Sequence, residues 1–155
     1  MYYTVVLGFM LVLPLVSTIG EAMMGSSLDI WTLALKWFVF WGVGARLAIA
    51  GIRQIAKPEF TAKDIFEIDD PKAGKIVQEL GFWNLSGGLI ALLSLVYPGW
   101  AMPAAVAGGL FYGLAGWQHW RNAHRNTNET IAMVSDLFIF VVLAVLVLRH
   151  FVPGL

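Results

Sequence analysis

Five hydrophobic stretches, each long enough to cross a bilayer, account for most of this chain and commit it to lipid. They run over roughly residues 2–23, 29–55, 74–97, 101–123 and 128–151. A helix needs ~20 apolar residues to span hydrocarbon, and only helices or closed barrels satisfy their backbones there. The strict alternation of barrel strands is absent, so helices are expected. Composition agrees: 59% of residues are hydrophobic and 13% charged, where soluble domains carry roughly 25% charged residues. The sequence therefore predicts an all-α integral membrane protein, with five transmembrane helices in a compact bundle forming a single transmembrane helical domain over residues 1–155.

Ten basic and ten acidic residues cancel, so nothing marks a nucleic-acid partner. The absence of cysteine excludes disulfides, thiolate metal sites and cysteine nucleophiles. Met1 to Ser17 is apolar without a basic leader or a small-residue cleavage pattern, and reads as a retained span rather than a signal peptide.

The connections fit these boundaries. Ser26-Ser27-Leu28-Asp29 offers capping oxygens before the second span, and Pro98-Gly99 turns between the third and fourth. Asn126, three residues before Glu129, resembles the cap of the fifth. In the polar segment from Ala56 to Lys72, Phe60, Thr61, Asp64 and Ile65 predict a short interfacial helix through Phe66 and Ile68. Asp70-Pro71 then starts the third long helix. Loop cations set the orientation. Arg53, Lys57, Lys63, Lys72, Lys75, Arg121 and Arg125 share one side, against Lys36 and Arg149 on the other. The positive-inside rule then predicts a multi-pass protein of a bacterial inner membrane, N-terminus cytoplasmic and C-terminus outside.

Within the spans lie charges that hydrocarbon excludes. Arg46 and Arg53 on the second span, and Glu129 and Asp136 on the fifth, are each seven residues apart and so share a helix face. On antiparallel helices Arg53 and Glu129 fall at similar depth, with Arg46 and Asp136 about 10 Å deeper at 1.5 Å per residue. This predicts a ladder of two ion pairs, Arg46–Asp136 and Arg53–Glu129. An unpaired charge at a helix centre costs ~2.5–3.5 kcal/mol even on lenient scales. Glu79 and His119 join the shallower tier, Asn84 and Tyr112 the deeper one. The expected pocket, made by Arg46, Glu79, Asn84, Tyr112 and His119, thus lies in the cytoplasmic half. The plainer alternative is that these groups only hold helices together, with Glu129 a capping residue and Arg53 reaching for headgroups. Ala105, Gly109, Gly113 and Gly116 on the fourth span, and Gly81, Asn84 and Gly88 on the third, let backbones approach closely and predict packing of these helices within the chain, with a dimer interface as the alternative.

Several chemistries lack their residues. Di-iron bundles need Glu-x-x-His pairs, but Phe82 and Ala132 occupy those positions after Glu79 and Glu129. His119 and His150 sit at opposite faces, and His119 and His124 are five apart near a helix end, which argues against a bis-histidine haem. His119, His124 and Glu79 offer zinc only a nonspecific spacing, and no metal site is expected. No phosphate loop or nucleophile elbow occurs.

Gly44-Ala45-Arg46-Leu47-Ala48-Ile49-Ala50-Gly51-Ile52-Arg53-Gln54, followed by Lys57-Pro58, resembles the first helix and loop of DoxX-like small membrane proteins. Glu79-Leu80-Gly81 resembles that family's second-helix opening, and the resemblance covers about residues 40–150. The span from Glu79 to Asn84, with the Asn, Glu and Ser-Asp elements of 126–136, is also similar to an uncharacterised bacterial membrane family. The resemblance implies a four-helix membrane bundle beside redox or quinone-linked partners, here with an added N-terminal span and a longer charged loop. Three functions are therefore open: an accessory or scaffold subunit of a larger membrane complex, a membrane-embedded enzyme or binder of a quinone- or lipid-like molecule, or a proton or ion pathway. No resident cofactor is expected beyond such a quinone or lipid.

Overall fold

Helices fill the apolar runs of the sequence. The computed structural model describes residues 2–152, which form α1 (Tyr3–Met23), α2 (Ile30–Ala56), α3 (Ala73–Leu93), α4 (Ala101–Arg121) and α5 (Thr127–Phe151), with no strand among the described residues. By length and composition α1, α2, α3 and α5 can cross a membrane. α4 has 21 residues, as many as α3, but its glycines, Gln118 and His119 hold its hydropathy below that of the other four. The outer faces are apolar: Val16, Ile76 and Leu114 are 62%, 71% and 68% exposed. Water would penalise so continuous a surface, and lipid chains would not.

The helix ends follow local chemistry. Asp29 caps α2, its carboxylate accepting from Trp31 N at 3.0 Å and Thr32 N at 3.3 Å. Asn126 caps α5 by accepting from Glu129 N at 2.8 Å. Arg125 closes α4, its Nη1 donating to the carbonyls of His119 at 3.1 Å and Trp120 at 2.8 Å and to that of Asn122. Between α2 and α3, Phe60–Ile65 forms a short wide-turned helix instead of the longer one expected through Ile68. It stops because Glu67 takes a left-handed conformation at φ 56°. Residues 68–70, outside any helix, then lead to α3, and Asp70 accepts from Lys72 N at 2.8 Å.

α2 is the central helix, in contact with the other four. α1 is fastened to it by polar bonds within the helical segments: Glu21 accepts from Lys36 Nζ at 2.7 Å and Trp37 Nε1 at 2.7 Å, and Trp41 Nε1 donates to Ser17 at 2.9 Å. The largest apolar core forms where α1, α2, α4 and α5 meet, around Met10, Val39, Val43, Ile139 and Leu143.

The small-residue spines pack within the chain, each against a different helix. Helices three and four do not close on each other: α3 packs along α2, and α4 along α5. A Cβ at Gly51 would lie 2.5 Å from Leu85 N, and one at Gly88 would lie 2.6 Å from Ala48 N. On the other pair, a Cβ at Gly113 would meet Phe140 at 2.7 Å and one at Gly116 would meet Leu137 at 2.8 Å. Each spine is thus used up on a different partner. α3 and α4 are left in slight contact, with space between them.

Candidate functional site

Polar side chains that lipid would exclude converge around a cavity of about 110 Å³ at the end of the bundle that carries the 57–72 connection. α2 contributes Arg46, Leu47, Ala50 and Gln54, a stripe at four-residue spacing with one neighbour. α5 contributes Asp136 and Ala132, and α3 contributes Asn84 and Leu80. α4 supplies Phe111, Tyr112, Ala115 and His119, again on one helical face. Thr61, Ile65 and Phe66 of the connection complete the lining.

Of the pocket residues read from sequence, Arg46, Asn84, Tyr112 and His119 line this space. Glu79 does not; it is exposed. α3 buries Val77, Gly81, Asn84 and Gly88, and Glu79 lies two residues, about 200°, away from Gly81 around the helix. Arg46 and Asp136, paired by depth in the sequence, line the same cavity.

The second expected pair is rearranged. Glu129 is 4% exposed and is held by groups of α4 and its turn. His119 Nδ1 lies 3.0 Å from Oε1, and Asn122 Nδ2 donates to both oxygens at 3.0 and 2.9 Å. Arg53 instead lays its guanidinium over the Phe60 ring, 3.9 Å from the centroid. At the bundle end an arginine can reach the interface, while His119 and Asn122, across a tight α4–α5 turn, cannot avoid Glu129. Glu129 is more than a capping residue: Asn126 caps its N–H at 2.8 Å, but its carboxylate is engaged by His119 and Asn122.

His119 is therefore fixed on two sides. Glu129 holds Nδ1, and the Phe66 ring stacks on the imidazole at 5.6 Å between centroids and 16° between planes. A carboxylate on one ring nitrogen sets which tautomer faces outward, the usual way a histidine is prepared to exchange a proton or a hydrogen bond at the other nitrogen. Tyr112, 2% exposed, donates its hydroxyl to the Gly42 carbonyl at 2.7 Å, in the stretch Phe38–Ala45 where α2 widens into π turns. Asn84 Nδ2 donates to Gln54 Oε1 at 2.7 Å. Asn84 Oδ1 is buried with no hydrogen-bond partner, on a side chain 3% exposed. An orphaned buried acceptor of this kind costs ~1–3 kcal/mol until a donor arrives.

The connection forms the roof. Asn126 Nδ2 donates to Asp64 O and Ile65 O at 3.2 Å and to Glu67 Oε1 at 3.1 Å, tying the connection to the start of α5. Lys63 pairs with Asp69 within the connection, and its hydrogen bond holds the Asp69 carboxyl below the usual carboxylate range. Gln54, Thr61, Phe66 and Asn122 were missed by sequence reasoning. Gln54 carried a signal, being eight residues from Arg46 on the same stripe; the other three lie in or next to loops, where periodicity is silent. No group of three or more His, Asp or Glu side chains that could hold a metal gathers among the described residues.

A family model described as "Family of unknown function (DUF6790)" matches residues 1–152, and the chain belongs to that family. The match agrees with the sequence expectation of an uncharacterised family. No curated protein and no solved structure matches the chain.

Proposed function

We propose that this member of a family of unknown function is a five-span membrane protein that binds the polar head of a membrane-borne amphiphile in the cavity between Arg46, Asn84, His119 and Asp136. The buried, partnerless Oδ1 of Asn84 carries the reading. A bundle held together only by polar contacts would satisfy its own acceptors, because hydrocarbon offers no substitute. A scaffold subunit needs no such cavity, and a proton pathway needs polar continuity across the bundle, whose middle, around Met10, Val39, Val43, Ile139 and Leu143, is apolar. The fifth span is α4: it equals α3 in length and packs along α5, which is itself apolar enough to cross.

Within the cavity Arg46 and Asp136 offset each other's charge. Exchanging the two residues tests this. The double exchange should recover folded protein where each single change loses it, and no recovery rejects the pairing.

Binding itself is tested by organic extraction of the purified protein. Wild type and Glu79→Ala, altered outside the cavity, should release the same lipid-soluble compound in near-stoichiometric amount, and His119→Ala about ten-fold less, a loss of about 1.4 kcal/mol in binding. Equal amounts from all three would reject the reading.

A further inference from the structure

We propose, resting on the binding reading above, that the amphiphile's tail lies in the crevice between α3 and α4 and that its head is uncharged and bears a hydroxyl. The crevice is a second cavity of about 200 Å³, walled by Trp83, Gly87 and Ile90 of α3 and by Ala104, Ala107 and Gly108 of α4. Leu47 and Phe111 line both this cavity and the polar one, so the two spaces meet at those side chains. The crevice is lined almost wholly by apolar side chains, and the proton of its one hydroxyl, on Ser86, is already given to Phe82 O at 2.8 Å. A Cβ at Gly87 would meet no atom within 4 Å, which shows how open this wall is.

Size and charge then restrict the occupant. About 110 Å³ is well under the ~300–1,000 Å³ of sites that enclose whole small molecules, so the polar cavity takes only a compact head. With the crevice added, the joint space reaches that range, which fits a small head on an apolar chain. The lining charges, Arg46 and Asp136, are of opposite sign, and both oxygens of Glu129 behind His119 are engaged by Asn122. A head with net charge would leave one of these groups facing its like in a desolvated space. Asn84 Oδ1 asks for a donor, which a hydroxyl supplies. A quinol and a monoacylglycerol share this chemistry.

Photolabelling of the full-length protein in nanodiscs tests the proposal. Three probes share one alkyl chain with a mid-chain diazirine and differ in head: glycerol, phosphate or ammonium. The glycerol probe should label Trp83, Ile90 or Ala107, with the two charged probes at least about ten-fold weaker. Ala107→Trp, at an exposed position on the crevice wall, should abolish this tail labelling. A short-chain glycerol probe with its diazirine on the head should still label around Asn84 in that variant. Competition by a quinol or by a monoacylglycerol then identifies which source is preferred. Head labelling in the cavity with tail labelling elsewhere would overturn the crevice and leave the binding reading standing. Equal labelling by the three heads would overturn the uncharged head. Loss of head labelling from the cavity in wild type would overturn the binding reading and the present inference with it.

Discussion

Glu129 and Arg53 show how far residue-level reasoning reaches. Their depths were readable from 1.5 Å per residue, and so was the need for each to find a partner. The choice of partner was not, because several polar groups share that depth and the tight α4–α5 turn decides among them. Glu129→Ala should lower stability by about 1–3 kcal/mol, since it strips partners from the buried His119 and from Asn122. Denaturant unfolding in micelles measures this. In double-mutant cycles His119 and Glu129 should couple by about 0.5–3 kcal/mol, while Arg53 and Glu129 should add within about 0.5 kcal/mol. Strong Arg53–Glu129 coupling would restore the ladder and remove the arrangement described above. Glu79 teaches the same point by phase: its depth matched the site, its helical angle did not.

At the scale of elements, boundaries were legible to within a few residues because apolar runs, Asp29 and Asn126 mark them chemically. The pairing of elements was not legible. A glycine spine announces a close approach without naming the approaching helix, and both spines found partners other than each other. Gly51→Ala and Gly88→Ala should each destabilise by about 1–3 kcal/mol, because the new methyl meets backbone of the facing helix. Gly20→Ala, where a Cβ meets nothing within 4 Å, should be neutral or slightly stabilising, as thermal unfolding would show. The roof over the cavity separates from helix stability in Asn126→Asp, which keeps the capping oxygen and loses the amide donors to Asp64, Ile65 and Glu67. Limited proteolysis should cut the 57–72 connection several-fold faster in this variant with α5 unfolding unchanged. Unchanged cleavage would show that the amide is not the clamp.

For the whole molecule, the proposed crossing by α4 makes the number of spans odd, which would put the two ends on opposite sides of the membrane. Reporters fused at each terminus should therefore respond oppositely, and matched responses would remove α4 from the set of spans. Four of the five helices are apolar enough by length and composition alone. α4 is distinguished by the same polar and small residues that it brings to the cavity and to α5. The shared depth of Arg46 and Asp136, which line one cavity, was visible in the sequence as matched heights. The empty space beside them was not, since a void arises from how helices fail to pack. The central claim is that this space receives an amphiphile's head through Asn84. Native mass spectrometry of protein released from its own membrane tests it most directly: wild type should carry one bound molecule of defined mass, and Asn84→Leu should lose most of it while Glu79→Ala keeps it. Wild type released without any such adduct, or Asn84→Leu retaining it in full, would contradict the account.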